Sequence, residues 1–203
     1  MSSIKLTADS GGGTFELKAP SSGSNARVLT VPDTANGTVL TTTNPRSGNT
    51  VQTVQTTTYT RVATTSTTYV ATAHTVTITP IFASSKILID FHSMINTNGN
   101  DHRAFVDVYR SINGGTFTGI APVGSNQTVG ANNNSGFLAE VRGDSSRIQV
   151  PFAIHYLDSP SYSVGNTIEY KLYIRSSNSS NTVELPCSSD AEPVVNMLTE
   201  IAQ

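Results

Sequence analysis

Residues 147–158, RIQVPFAIHYLD, constrain the chain more than any other stretch. Every second residue is large and apolar: Ile148, Val150, Phe152, Ile154 and Tyr156. The residues between them, Gln149, Pro151, Ala153, His155 and Leu157, are smaller or more polar. Side chains of a strand alternate between its two faces, so this spacing predicts a strand with one fully buried face. Each such side chain gains roughly 1.5–3 kcal/mol only when another layer covers it. The rest of the chain must therefore supply a second layer.

Several other stretches have the same period. In 86–96, Ile87, Ile89, Phe91 and Ile95 share one face, and Leu88, Asp90, His92 and Met94 share the other. Apolar residues on both faces predict a strand covered twice, by the sandwich core and by a neighbouring subunit. In 168–175, Ile168, Tyr170, Leu172 and Ile174 point one way, with Glu169, Lys171, Tyr173 and Arg175 expected outward. Val106 and Val108 oppose Phe105, Asp107 and Tyr109, and Val76 and Ile78 stand among threonines. In 194–202, Val194 and Leu198 oppose Met197 and Ile201. Turn chemistry separates the runs at Asn98-Gly99, Asn113-Gly114-Gly115 and Asp158-Ser159-Pro160. No segment sustains apolar residues at helical spacing, and Thr, Ser, Asn and Gly dominate. The expected class is all-β, with about eight to ten strands of an antiparallel sandwich or barrel over residues 47–203.

Residues 1–46 read differently. Short β-like runs at 4–7, 14–19, 27–31 and 38–42 alternate with Gly11-Gly12-Gly13, the PSSG at 20–23 and Asn36-Gly37. Their apolar residues are too few to close a core in one copy, since pieces of about 40 residues need staples or assembly. This predicts a short β arm that orders against a partner or against sister copies. A polar linker over 44–58 drifts into the first strand of the sandwich.

The totals exclude several function classes. Only 13% of residues are charged and the net charge is −2, so no basic patch exists for nucleic acid or an anionic membrane surface. No apolar run approaches the roughly 20 residues of a membrane span. The opening MSSIK lacks the apolar core of a signal peptide, so the chain is expected to stay soluble. The single cysteine, Cys187, cannot pair within the chain and reads as a small buried hydrophobe.

Three N-terminal segments carry a resemblance: GGTFELKAP (12–20), VLTVPDT (28–34) and GTVLTT (37–42). Together they look like the N-terminal region of phage tail-fibre-like structural proteins. The layout SSKILIDF (84–91), YLDSP (156–160), TIEYKLYIRSS (167–177) and MLTEIA (197–202) resembles the C-terminal β-sandwich of phage fibre and virion surface proteins. Those domains are similar to the trimeric jelly rolls of the C1q and tumour-necrosis-factor type. The resemblance implies a homotrimer with residues 1–46 as a virion-anchoring arm and 47–203 as a jelly roll. It implies a location in the virion, after assembly in the host cytoplasm, and contacts with other virion proteins of tail or capsid.

The chemistry-bearing residues point away from catalysis. There is no nucleophile elbow, and the carboxylates Asp107, Glu140, Asp158 and Glu169 are only candidates for glycan hydrolysis. Asp90 with His92 and Asp101-His102 is the one two-strand metal candidate, and no closely spaced Cys or His pair supports it. The expectation is no enzyme, no metal and no cofactor. Two surfaces are candidates for binding. Asn126, Gln127, Asn132, Asn133 and Asn134 in the polar loop 124–136 read either as a solvated connection or as a loop tip suited to a host surface glycan, because amides both donate and accept hydrogen bonds. Leu88, His92, Met94 and Met197 form the expected trimer interface. The leading function is a tail fibre or spike that displays its sandwich for host attachment. The alternatives are a capsid decoration protein and a soluble carbohydrate-binding module.

Overall fold

The computed structural model describes residues 3–7, 11, 14–18, 45–98, 102–121, 138–142, 148–187 and 192–203, with the backbone alone for 3–7, 14–18 and 138–142. The chain divides into two compact units, Met1–Val39 and Leu40–Gln203. In the first, β1 (Ser3–Thr7) pairs antiparallel with β2 (Thr14–Lys18), setting Ile4 opposite Leu17 and Leu6 opposite Phe15. The runs expected at 27–31 and 38–42 lie outside the described residues.

The second unit is all-β. In chain order its strands are β3 (Thr50–Thr58), β4 (Val62–Thr64), β5 (Val70–Ile78), β6 (Lys86–Thr97), β7 (Arg103–Ile112), β8 (Thr118–Gly119), β9 (Leu138–Arg142), β10 (Ile148–Asp158), β11 (Ile168–Ser176), β12 (Val183–Leu185) and β13 (Val194–Ile201). They form two antiparallel sheets. In the first, β10 runs along one edge of β6 for the full length of β10, and β13 then β3 continue from the other edge. Beyond β13, the end of β6 pairs with β12, which pairs with β4. The principal order is therefore β3–β13–β6–β10. The second sheet runs β5–β11–β7, and β7 pairs on its far edge with β8 and with β9. The chain crosses between the sheets from β4 to β5, β5 to β6, β6 to β7, β9 to β10, β10 to β11 and β11 to β12, so both sheets must close together.

The two sheets pack face to face as a β-sandwich. Their shared core joins Ile87, Ile89, Phe91 and Ile95 of β6 and Leu198 of β13 to Val106 and Val108 of β7 and to Ile168, Tyr170, Leu172 and Ile174 of β11. Each is at most 1% exposed. The turn after β7 takes the form its residues demand: Asn113 and Gly114 have φ of 51° and 73°, and the Gly115 N–H donates to the Ile112 carbonyl at 3.0 Å. Two successive left-handed residues bridged in this way make a turn that asparagine and glycine tolerate at little cost.

One expectation is corrected. Of the five inward residues of β10, only Phe152 and Ile154 are buried, while Ile148, Val150 and Tyr156 are half-buried at the margin of the core. The reason is position: β10 is an edge strand with β6 as its strand partner over its length, so the opposite sheet covers its centre better than its ends.

Several polar groups inside the sandwich are paired, while the buried Thr97 hydroxyl and Asn196 amide have no hydrogen-bond partner among the described residues. Arg110 donates two hydrogen bonds to Asp158, at 2.8 and 2.6 Å, and Tyr170 donates a third at 2.7 Å. Burial, then the Asp158 charge, holds the Tyr170 phenol protonated far above its ordinary range. His74 is fully buried between the Thr58 hydroxyl (2.6 Å) and the Leu185 carbonyl (3.3 Å). Burial lowers its pKa, which keeps the imidazole neutral. Glu200, also fully buried, accepts from the Ile81 and Phe82 N–H groups at 3.0 Å, from the Ser85 hydroxyl at 2.8 Å and from Gln52 at 2.7 Å. It thereby pins the β5–β6 connection, where Ser84 holds a left-handed φ of 63°.

Candidate interaction surfaces

Each sheet has an outer face, and the two differ in chemistry. On the first sheet the outward residues are Lys86, Leu88, Asp90, His92 and Met94 of β6, flanked by Val195, Met197 and Thr199 of β13 and by Pro151, Ala153, His155 and Leu157 of β10. The register sets these in rows. Val195, His92 and Ala153 lie abreast, then Met197, Asp90 and His155, then Thr199, Leu88 and Leu157. All four residues expected at a trimer interface, Leu88, His92, Met94 and Met197, stand on this one face. Leu88, Met94 and Met197 are half-buried, while His92 and Leu157 are exposed. A shallow depression of ≈ 520 Å³ is lined by His92, Ser93, Pro151, Phe152, Ala153, Pro193 and Val195.

A polar cluster sits within this apolar grid. His92 Nε2 lies 2.6 Å from Asp90 Oδ1, and His155 Nδ1 lies 3.8 Å from Asp90 Oδ2. The Asp90–His92 pair follows from two-residue spacing on one strand. His155 joins it only because the β10–β6 register puts it directly opposite Asp90, a pairing across 65 positions that no local pattern signals. His102 lies at the start of β7, and His74 is in the core, so the four histidines do not converge. Among the described residues no group of three or more His, Cys, Asp or Glu side chains is arranged to hold a metal ion.

The outer face of the second sheet is aromatic. Tyr109 and Tyr173 stack with centroids 3.9 Å apart, and Tyr69 and Phe117 flank them at 6.0 and 6.2 Å. The Arg175 guanidinium lies over Phe105 at 3.7 Å and over Tyr69 at 5.2 Å. Arg175 lies on the outer side, as its spacing predicts, yet it is only 8% exposed, because its planar, weakly hydrated head packs on aromatic faces. Asp107 is enclosed in the same layer, opposite Tyr173, and accepts the Val108 N–H at 2.7 Å. Burial pushes its carboxyl up to about 6. Burial, then the nearby Asp107 charge, raises the Tyr69 phenol to about 12 and the Tyr109 phenol above its ordinary value.

The candidate carboxylates are dispersed. Asp158 is tied inside the sandwich, Asp107 and Glu169 lie on the outer face of the second sheet, and Glu140 is on β9, where only the backbone is described. Opposite Glu169 on β7 is Ser111, four residues from Asp107, so those two stand about 13 Å apart at ~3.3 Å per residue. Glu169 instead accepts from Thr75 at 2.7 Å and pairs with Lys171 at 3.2 Å. The loop candidates Asn126, Gln127, Asn132, Asn133 and Asn134, and Asp101, lie outside the described residues. Cys187 is buried and bonds to Glu192. Among the described residues there is no helix long and apolar enough to cross a membrane. No protein-family model matches the chain, and no curated protein matches it.

Proposed function

We propose that this chain is a non-enzymatic virion structural protein of the tail-fibre or spike type. Three copies assemble through the outer face of the β3–β13–β6–β10 sheet. Residues 1–46 attach the assembly to other virion proteins, and the sandwich is displayed for binding to the host surface. The single observation that carries this reading is the apolar grid on that face, where Leu88, Met94, Met197 and Leu157 stand together on three adjacent strands. A two-layer sandwich covers only the inner face of each sheet, so an outer apolar face gains by burial against copies of itself. A cyclic arrangement makes that burial self-limiting. The strand order β3–β13–β6–β10 against β5–β11–β7–β9 supports a jelly roll of the kind the sequence resembles. In a threefold assembly each weak binding surface is presented three times, which raises avidity by orders of magnitude on a target of matching spacing.

Light scattering on the purified protein tests the assembly. A trimer that becomes a folded monomer on Met197→Glu is the expected result, since Met197 is half-buried on the outer face and a charge there leaves the core intact. A folded monomer for the unsubstituted protein at about 10 μM, a concentration at which specific interfaces of standard size are occupied, refutes it. Counting copies per particle then separates tail from capsid: a few trimers for the former, shell-covering numbers for the latter.

A further inference from the structure

The assembly face contains a charge arrangement that apolar burial alone does not explain. Asp90 is flanked by two imidazoles, His92 at 2.6 Å and His155 at 3.8 Å. In the single chain these side chains are solvated, His155 at 67% exposure and His92 at 51%. We propose that assembly across this face is gated by pH through this cluster. The inference rests on the trimer reading above and adds its regulation.

Of the outward positions packed around the cluster, β13 offers Val195, Met197 and Thr199, and β3 offers Thr53, Gln55 and Thr57. None is charged. β10 brings only His155, between Ala153 and Leu157. β6 brings Lys86, Asp90 and His92. Lys86 lies four positions from Asp90, about 13 Å along the strand at ~3.3 Å per residue. Farther along, Glu184 is paired with Arg61 and accepts from Asn96. Glu192, beside Pro193, is bonded to Cys187, so among the described residues Asp90 is the only carboxylate paired with the two imidazoles.

With both imidazoles neutral, the face buries one carboxylate per copy that already has His92 as a hydrogen-bond donor. One proton converts this to a compensated His–Asp pair. A second proton has no counter-ion on the face, and a buried unpaired cation is strongly disfavoured. Ordinary imidazoles gain protons in the window of roughly pH 5–7. Acid then places one uncompensated cation per copy, three per trimer, on a surface being removed from water. Association must expel those protons, so the assembly constant falls with each proton excluded, as linkage requires. Three such protons allow a loss of up to about 10³-fold per pH unit below the imidazole range.

The experiment is light scattering with circular dichroism on the full chain, at about pH 7.5 and about pH 5.2, either side of the imidazole range. The variants are His155→Gln and Asp90→Asn, both outside the core. The expected result has three parts. The unsubstituted protein is a trimer at the higher pH and a folded monomer at the lower. His155→Gln remains a trimer at both, because its one imidazolium is balanced by Asp90. Asp90→Asn dissociates at a higher pH than the unsubstituted protein. A trimer at both pH values overturns the gating and leaves the assembly reading intact. Acid dissociation that His155→Gln does not prevent, or that comes with unfolding, also overturns the gating. A folded monomer at the higher pH removes the assembly reading and the gating together.

Discussion

Replacing Glu200 with glutamine removes a charge at the point where three segments meet, β13, β3 and the β5–β6 connection. The carboxylate is fully buried and takes hydrogen bonds from the Ile81 and Phe82 N–H groups, the Ser85 hydroxyl and Gln52. An amide of the same shape keeps one acceptor oxygen and turns an NH₂ donor toward groups that themselves donate. Hydrogen bonds to a charged group are each worth roughly 1.5–3 kcal/mol, and a buried donor left unpaired costs about 1–3 kcal/mol. Two lost bonds, with Gln52 free to rehydrate, give about 3–5 kcal/mol. For a unit of this size that is a fall in Tm of roughly 6–20 °C. Urea unfolding at fixed protein concentration measures it, because assembly would otherwise shift apparent stability. The pH dependence adds a second check. Burial raises the Glu200 pKa, but the bonds from Ile81, Gln52, Phe82 and Ser85 outweigh it and hold the pKa below the ordinary carboxylate value. A group whose pKa is depressed on folding stabilises above its unfolded pKa, and that stability is lost as pH falls through the folded one. The gap between Glu200 and Glu200→Gln is therefore widest at neutral pH and closes in acid below the ordinary glutamate range. A difference under about 0.5 kcal/mol at neutral pH, the scatter of an ordinary surface substitution, would refute the reasoning.

Asp107 carries the opposite sign. Burial raises its pKa from 3.8 to about 6, so its contribution is fully present below the unfolded pKa and is lost as pH rises through about 6. Asp107→Asn is expected to be more stable than the unsubstituted protein by about 1–3 kcal/mol near pH 8, with the gain vanishing in acid; urea midpoints at both pH values read it, and a variant less stable near pH 8 refutes it. Phe91 and Phe152 rank a central strand and an edge strand of the first sheet. Phe91→Ala, at 0% exposure, is expected to cost about 5 kcal/mol, and Phe152→Ala, at 7% on the edge strand beside the depression, about 3. The same unfolding assay shows the order, and its reversal would place the core elsewhere.

Side-chain parity was legible in the sequence because a strand's period is local. The alternation in 86–96 places Ile87, Ile89 and Phe91 inside and Leu88, His92 and Met94 outside, and the structure has them so. The turn at Asn113-Gly114 was legible for the same reason: two adjacent residues carry all of its conformational requirement. What the tertiary structure decided is which strand lies beside which. β10 reads as the most buried strand, yet it lies at an edge, so Ile148, Val150 and Tyr156 are only half-covered. Arg175 reads as outward and is so, but its burial against Phe105 and Tyr69, rings 70 and 106 positions away, comes from the tertiary structure. Glu200 gathers partners that no local pattern signals, Gln52 and Ser85 from 148 and 115 residues away. His155 meets Asp90 only through register. Closing loops of such length is set by the summed packing of both sheets, and no short window of sequence holds that sum.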